Sequence, residues 1–174
     1  MKKPLAAAVL VALAMTTTGC GNGDDATAAK SISDSIMKDQ QSGTSTVMQV
    51  KRKDADCIGN GLVDKIGTQK LQKYGLLTKD LKMNKDVTSV HMSTADAGAA
   101  ADTFFACTDV MGMMRKAMSG GQPIDPKIKA CLNDALTKDA VHSMFVSMFS
   151  GKQQEATKGL TKAMMKCASP SATN

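Results

Sequence analysis

Aromatic residues are scarce in this chain, which has no Trp, one Tyr and four Phe among 174 residues. That leaves little flat surface for stacking bases, and no basic stripe interleaves with the few rings, which counts against nucleic-acid binding. Histidine is nearly as rare: His91 and His142 are the two present, and no His-Glu-x-x-His zinc motif can be written from them. Gly-x-Ser-x-Gly and glycine-rich phosphate loops are also missing. The apolar run from Leu5 to Met15 is eleven residues long, short of the roughly 20 needed to span a bilayer. No segment alternates in the manner of a β-hairpin or a strand-helix unit, so the expected fold class is all-α.

What the sequence does have begins at its start. Lys2 and Lys3 precede the apolar run, and Thr16-Thr17-Thr18-Gly19-Cys20 follows it, which is the charged, apolar and small-residue order of an export signal. Thr18, Gly19 and Cys20 resemble the lipobox of bacterial lipoproteins, although Thr17 stands where a branched aliphatic is usual. The resemblance implies cleavage before Cys20 and a thioether-linked diacylglyceryl group on its sulfur. The competing reading is plain secretion, with cleavage after Ala14 or nearby. Five cysteines leave one over if the rest pair in an oxidising compartment, and acylation of Cys20 would remove the odd one. Two or three acyl chains give stable anchoring, at about 0.8 kcal/mol per buried methylene. Loss of residues 1–19 leaves roughly 155 residues, enough for one domain and a tail. It also takes Lys2 and Lys3 from the formal net charge of +6, leaving a mixed-charge surface.

Residues 20–29 are small and polar without apolar period, and read as the lipidated cysteine followed by a flexible tether. A helical domain is expected over 30–168 and a disordered tail over 169–174. Within it, helices are expected at 30–41, 54–66, 69–74 and from the Ser93 cap to Ser119. Two more are expected after Asp125-Pro126 and Thr137, and a last one ends before Pro170. Gly43 to Val50 reads as extended, and Gly75 suits a left-handed helix end. Ile128, Cys131, Leu132, Ala135 and Leu136, then Val141, Met144, Phe145, Met148 and Phe149, give the clearest 3.6-residue stripes. The architecture expected is a small disulfide-stapled bundle of about six helices.

A weak internal repeat is visible. Cys57-Ile58 with Leu62 and Cys131-Leu132 with Leu136 open helices alike, while Phe104-Phe105-Ala106-Cys107 and Met164-Met165-Lys166-Cys167 close them alike. This open, close, open, close order suggests a duplicated unit and favours pairing Cys57 with Cys107 and Cys131 with Cys167. Four cysteines allow three pairings, and the other two remain open at this point.

Ala55-Asp56-Cys57-Ile58-Gly59, Leu71 to Leu77 and Phe104 to Asp109 are similar to segments of uncharacterised secreted or lipid-anchored proteins of actinobacteria. The likeness covers about residues 30–168. It implies export and paired cysteines, and brings no activity or binding residues with it.

Candidate chemistry is thin. Ser35-Ile36-Met37-Lys38 fits a Ser-x-x-Lys pattern without the companion motifs of penicillin-recognising enzymes. The four downstream cysteines are too widely spaced for a zinc site, which uses close pairs. Met111, Met113, Met114 and Met118, with His91 and Met92, invite a Cu(I) reading, yet most methionines fall on apolar stripes where thioethers fill gaps. Asp54, Asp56, Asp64 and Asp109 would support a hydrolase only if folding gathered them. No catalytic residue, metal or cofactor is assigned. The expectation is a membrane-anchored extracytoplasmic lipoprotein acting as a non-catalytic binding or interaction module. Its partners would be the membrane, through Cys20, and an envelope protein, a polymer or an apolar ligand. An apolar-ligand or lipid carrier, a carboxylate hydrolase and an accessory subunit of a membrane complex are the alternatives.

Overall fold

Serine, threonine and aspartate caps decide where several helices begin. Ser93 accepts a hydrogen bond from the Asp96 amide, and Thr137 accepts one from the Ala140 amide, each satisfying a donor that the first turn leaves free. The computed structural model describes residues 23–41, 50–86, 89–119 and 126–168. Among the described residues the chain forms eight helices: α1 Gly23–Gln41, α2 Arg52–Ile66, α3 Thr68–Lys73, α4 Thr94–Cys107, α5 Val110–Ser119, α6 Pro126–Ala135, α7 Lys138–Phe149 and α8 Gln153–Ala168. They contain no strand, only one isolated bridge between Leu77 and Met83. The all-α expectation is met, and Cys20, the signal segment, the tail and most of the Gly43–Val50 segment lie outside the described residues.

Neighbouring helices run antiparallel. Thr68 donates to Asp25, Ser33 donates to the Ala55 carbonyl, and Arg52 pairs with Asp34, so α1 descends as α2 rises. Cys57 near the start of α2 is joined to Cys107 at the end of α4. His142 in the first turns of α7 meets Asp102 of α4, while the carbonyl of Phe149 at the end of α7 accepts from Met92 just before α4. Helix α8 packs on α7 and α6, and the Cys131–Cys167 disulfide ties α6 to α8.

Two cores result. The first gathers Ala28, Ala29, Ile32, Ile58, Leu62, Ile66, Leu71, Leu77, Ala97 and others from α1 to α4, and the second gathers Ala101, Val110, Leu136, Val141 and Phe145. They meet at α4 and α7, where all four phenylalanines cluster. Phe145 lies 6.0 Å from Phe104, 5.9 Å from Phe105 and 6.0 Å from Phe149 between ring centroids. All the phenylalanine rings lie at this one joint.

Two boundaries differ from the sequence reading. The tether expected over 20–29 gives way to helix at Gly23, because Ala28 and Ala29 are buried against α2. There the backbones meet closely: a Cβ on Gly59 would sit 2.4 Å from the Ala29 carbonyl oxygen. The single helix expected from Ser93 to Ser119 is interrupted at Thr108, whose φ of −140° and ψ of 156° are extended. The Asp109 carboxylate then accepts from the Gly112 amide at 2.8 Å and starts α5. This split turns the seven helical segments expected along the chain into eight helices among the described residues. Gly75, with φ of 76°, ends α3 in the left-handed region as its position suggests.

Candidate functional site

The four cysteines of the domain form two disulfides, Cys57–Cys107 and Cys131–Cys167, with Cα atoms 5.6 Å apart in each, within the usual range. This is the pairing that the open-close order favours, and it removes the four thiolates from any zinc site. Cys57 is exposed, Cys107 and Cys131 are half-buried and Cys167 is buried.

The densest polar cluster is centred on Asp96 in the first turn of α4. Its carboxylate accepts from the Tyr74 hydroxyl at 2.6 Å, from Lys70 Nζ at 3.0 and 3.2 Å, and from the Ser93 hydroxyl at 3.0 Å. The Tyr74 hydroxyl also accepts from the Ser93 amide. The Tyr74 hydrogen bond, followed by that from Lys70, holds Asp96 below the usual carboxylate range against the opposing effect of burial. A carboxylate that takes three donors at a helix N-terminus is held in its ionised form, and here it clamps α3 to α4. The Ser93 cap is legible in sequence. The arrival of Tyr74 and Lys70 from α3 is not.

Folding does not gather the other candidates. Asp56 pairs with Arg52, which also binds Asp34, and Asp34 takes Lys30 from its own helix. The hydrogen bonds from Lys30 and then Arg52 draw the Asp34 carboxyl below its ordinary value. This is an exposed ion-pair ladder across α1 and α2. Asp54 is half-buried, Asp64 is exposed and Asp109 caps α5. His142 sits 2.9 Å from Asp102 with its ring against Phe105, whereas His91 contacts Ser89 at the other end of α7, where a Cβ on Gly151 would clash with its ring. Ser35 is half-buried and Lys38 exposed on α1. Met111, Met114 and Met144 pack against the second core. Met148, expected on a buried stripe, is 39% exposed, because the α7 stripe turns its Val141–Phe145 edge toward α4. The side chains of Met118 and Met164 lie outside the described residues. Among the described residues no group of three or more His, Cys, Asp or Glu is placed to hold a metal ion, and no helix is long and apolar enough to cross a membrane.

A shallow groove of about 210 Å³ lies where α7 meets α8 and the end of α6, lined mainly by Leu136, Val141, Met144 and Ala156, with Glu155 at its edge. A second hollow of about 160 Å³ opens between α1 and α4 beside Ile36, Val50 and Met113. Both fall below the roughly 300–1,000 Å³ of typical small-molecule sites and accept a side chain or the end of an acyl chain. In comparisons with known proteins, no family model, no curated protein and no solved structure matched the chain.

Proposed function

We propose that the protein is a lipoprotein anchored through Cys20 to the extracytoplasmic face of a bacterial membrane, and that its helical domain is a non-catalytic interaction module. The observation that carries the reading is the fate of the cysteines. Four of five are consumed in two disulfides, which persist in oxidising compartments, and the fifth follows directly on Thr18-Gly19 at the end of an export signal. An acylated Cys20 is the assignment under which every cysteine has a role.

The non-catalytic part is supported by where the titratable groups are engaged. Asp96 is a cap engaged by Tyr74, Lys70 and Ser93, the Asp34–Arg52–Asp56 ladder is exposed, and His142–Asp102 is a surface pair. The two apolar grooves are too small to enclose a lipid, and the larger hollow of about 550 Å³ along α8 is lined by Gln153, Gln154, Thr157, Lys158, Thr161 and Lys162 with Met165 as its one apolar side chain, which favours docking of a protein partner over the carrier reading. Expression of the full chain in a bacterium fed a labelled fatty acid tests the anchor. The label should appear on the protein and vanish in Cys20→Ala; a label that survives the substitution overturns it. Titration of the domain with a fluorescent fatty acid tests the carrier alternative, and saturable stoichiometric binding would restore it.

A further inference from the structure

Cys20 and the first residue of α1, Gly23, are three residues apart. At about 3.8 Å per Cα step, their Cα atoms can be separated by no more than roughly 11 Å. The end of the bundle that holds Gly23 also holds the end of α2, because Thr68 after Gly67 donates to Asp25. It holds the start of α4 too, because Lys70 and Tyr74 of the α3 segment bind Asp96. The Met92–Phe149 hydrogen bond adds the end of α7. The opposite end carries Lys38, Lys51, Lys53 and the Cys57–Cys107 disulfide. Lys53 and Lys65 lie twelve residues apart on α2, about 18 Å along the helix axis, which exceeds the reach of the link to Cys20.

We infer that the anchored domain is seated directly on the lipid surface with one fixed end down: the α1 start, α2 end, α3 and α4 start face the headgroups, and the Cys57–Cys107 end faces away. This rests on the reading of Cys20 as the lipid anchor. Exposed groups of both signs, Lys65 and Lys70 with Asp24 and Asp64, line the lower end. It therefore suits zwitterionic headgroups, and the short link rather than attraction to anionic lipid enforces the contact. Anything that binds the domain from solution meets the disulfide end and the flanks of the helices first.

Lysine footprinting tests this. The acylated protein is reconstituted in phosphatidylcholine vesicles and pulsed with a membrane-impermeant amine-acylating reagent, and each lysine is quantified by mass spectrometry. The reference is the mature chain with Cys20→Ser, free in solution. Lys65 and Lys70 should be modified several-fold more slowly on vesicles, while Lys38, Lys51 and Lys53 keep their solution rates. Insertion of about ten Gly and Ser residues before Gly23, adding roughly 17 Å of mean reach, should restore Lys65 and Lys70. Unchanged rates at Lys65 and Lys70 in vesicle-bound protein whose acylated Cys20 is verified by mass would overturn the seating and leave the anchor standing. An unacylated Cys20 would overturn the anchor, and the seating with it.

Discussion

Replacing Asp96 with Asn tests whether the α3–α4 clamp is the structural device that its geometry indicates. The carboxylate takes donors from Tyr74, Lys70 and Ser93, and Asn has the same shape with one acceptor oxygen and an NH₂ that must face one of those donors. A hydrogen bond to a charged group is worth about 1.5–3 kcal/mol, and the Lys70 pair, in which the lysine side chain is 56% exposed, adds no more than about 1 kcal/mol. Asp96→Asn should therefore cost about 2–4 kcal/mol at neutral pH in urea unfolding followed by far-UV circular dichroism. In a double-mutant cycle with Tyr74→Phe, about 1–2 kcal/mol should appear as coupling. The pH dependence has a defined sign. The folded-state pKa of Asp96 is lowered, so its contribution is complete above the ordinary carboxylate pKa of about 3.9 and is lost as pH falls through the folded value. The native protein should weaken through that acid window, and Asp96→Asn should weaken less steeply. A variant within about 0.5 kcal/mol of the native protein, which is the scatter of ordinary surface changes, with the same acid slope would refute the clamp.

Other outcomes follow from the packing. Gly59→Ala forces a Cβ against the Ala29 backbone, and the overpacking should cost about 1–3 kcal/mol by chemical denaturation; an unchanged midpoint would contradict the close α1–α2 contact. Phe145→Ala removes the ring that touches the other three phenylalanines and should cost about 3–5 kcal/mol, measured the same way. Under native conditions a small thiol reductant should open Cys57–Cys107 before Cys131–Cys167, because Cys57 is exposed and Cys167 is buried; peptide mapping after alkylation reads the order. The loops closed span 50 and 36 residues, so each bridge contributes about 4 kcal/mol by the chain-entropy relation, and full reduction should leave the domain marginal or unfolded.

The parts of the fold legible in the sequence are those written in large side chains. Ile, Leu, Met and Phe at steps of three and four mark α6 and α7, and the matching positions of cysteine within helices carry the disulfide order. The first two turns of α1 were hidden because Ala28, Ala29 and Gly59 pack by closeness of backbone, which leaves no hydropathy stripe. The break between α4 and α5 was hidden because Phe104, Cys107, Met111 and Met114 keep helical spacing across it. The signal for it was Asp109 three residues before Gly112, the spacing of a cap. The Asp96 cluster was half visible. Ser93 and Asp96 announce a helix start, while the approach of the chain's one tyrosine from α3 is a product of tertiary packing and has no local signature.

Under the proposed assignment Cys20 carries lipid and the other four cysteines are paired. Intact-mass measurement of the mature protein, isolated from bacterial membranes without reductant and treated with a thiol-alkylating reagent under denaturing conditions, tests it most directly. The predicted species begins at Cys20, carries the mass of its lipid and takes up no alkyl groups. A chain that begins upstream of Cys20, a Cys20 without lipid, or alkylation at Cys57, Cys107, Cys131 or Cys167 would contradict it.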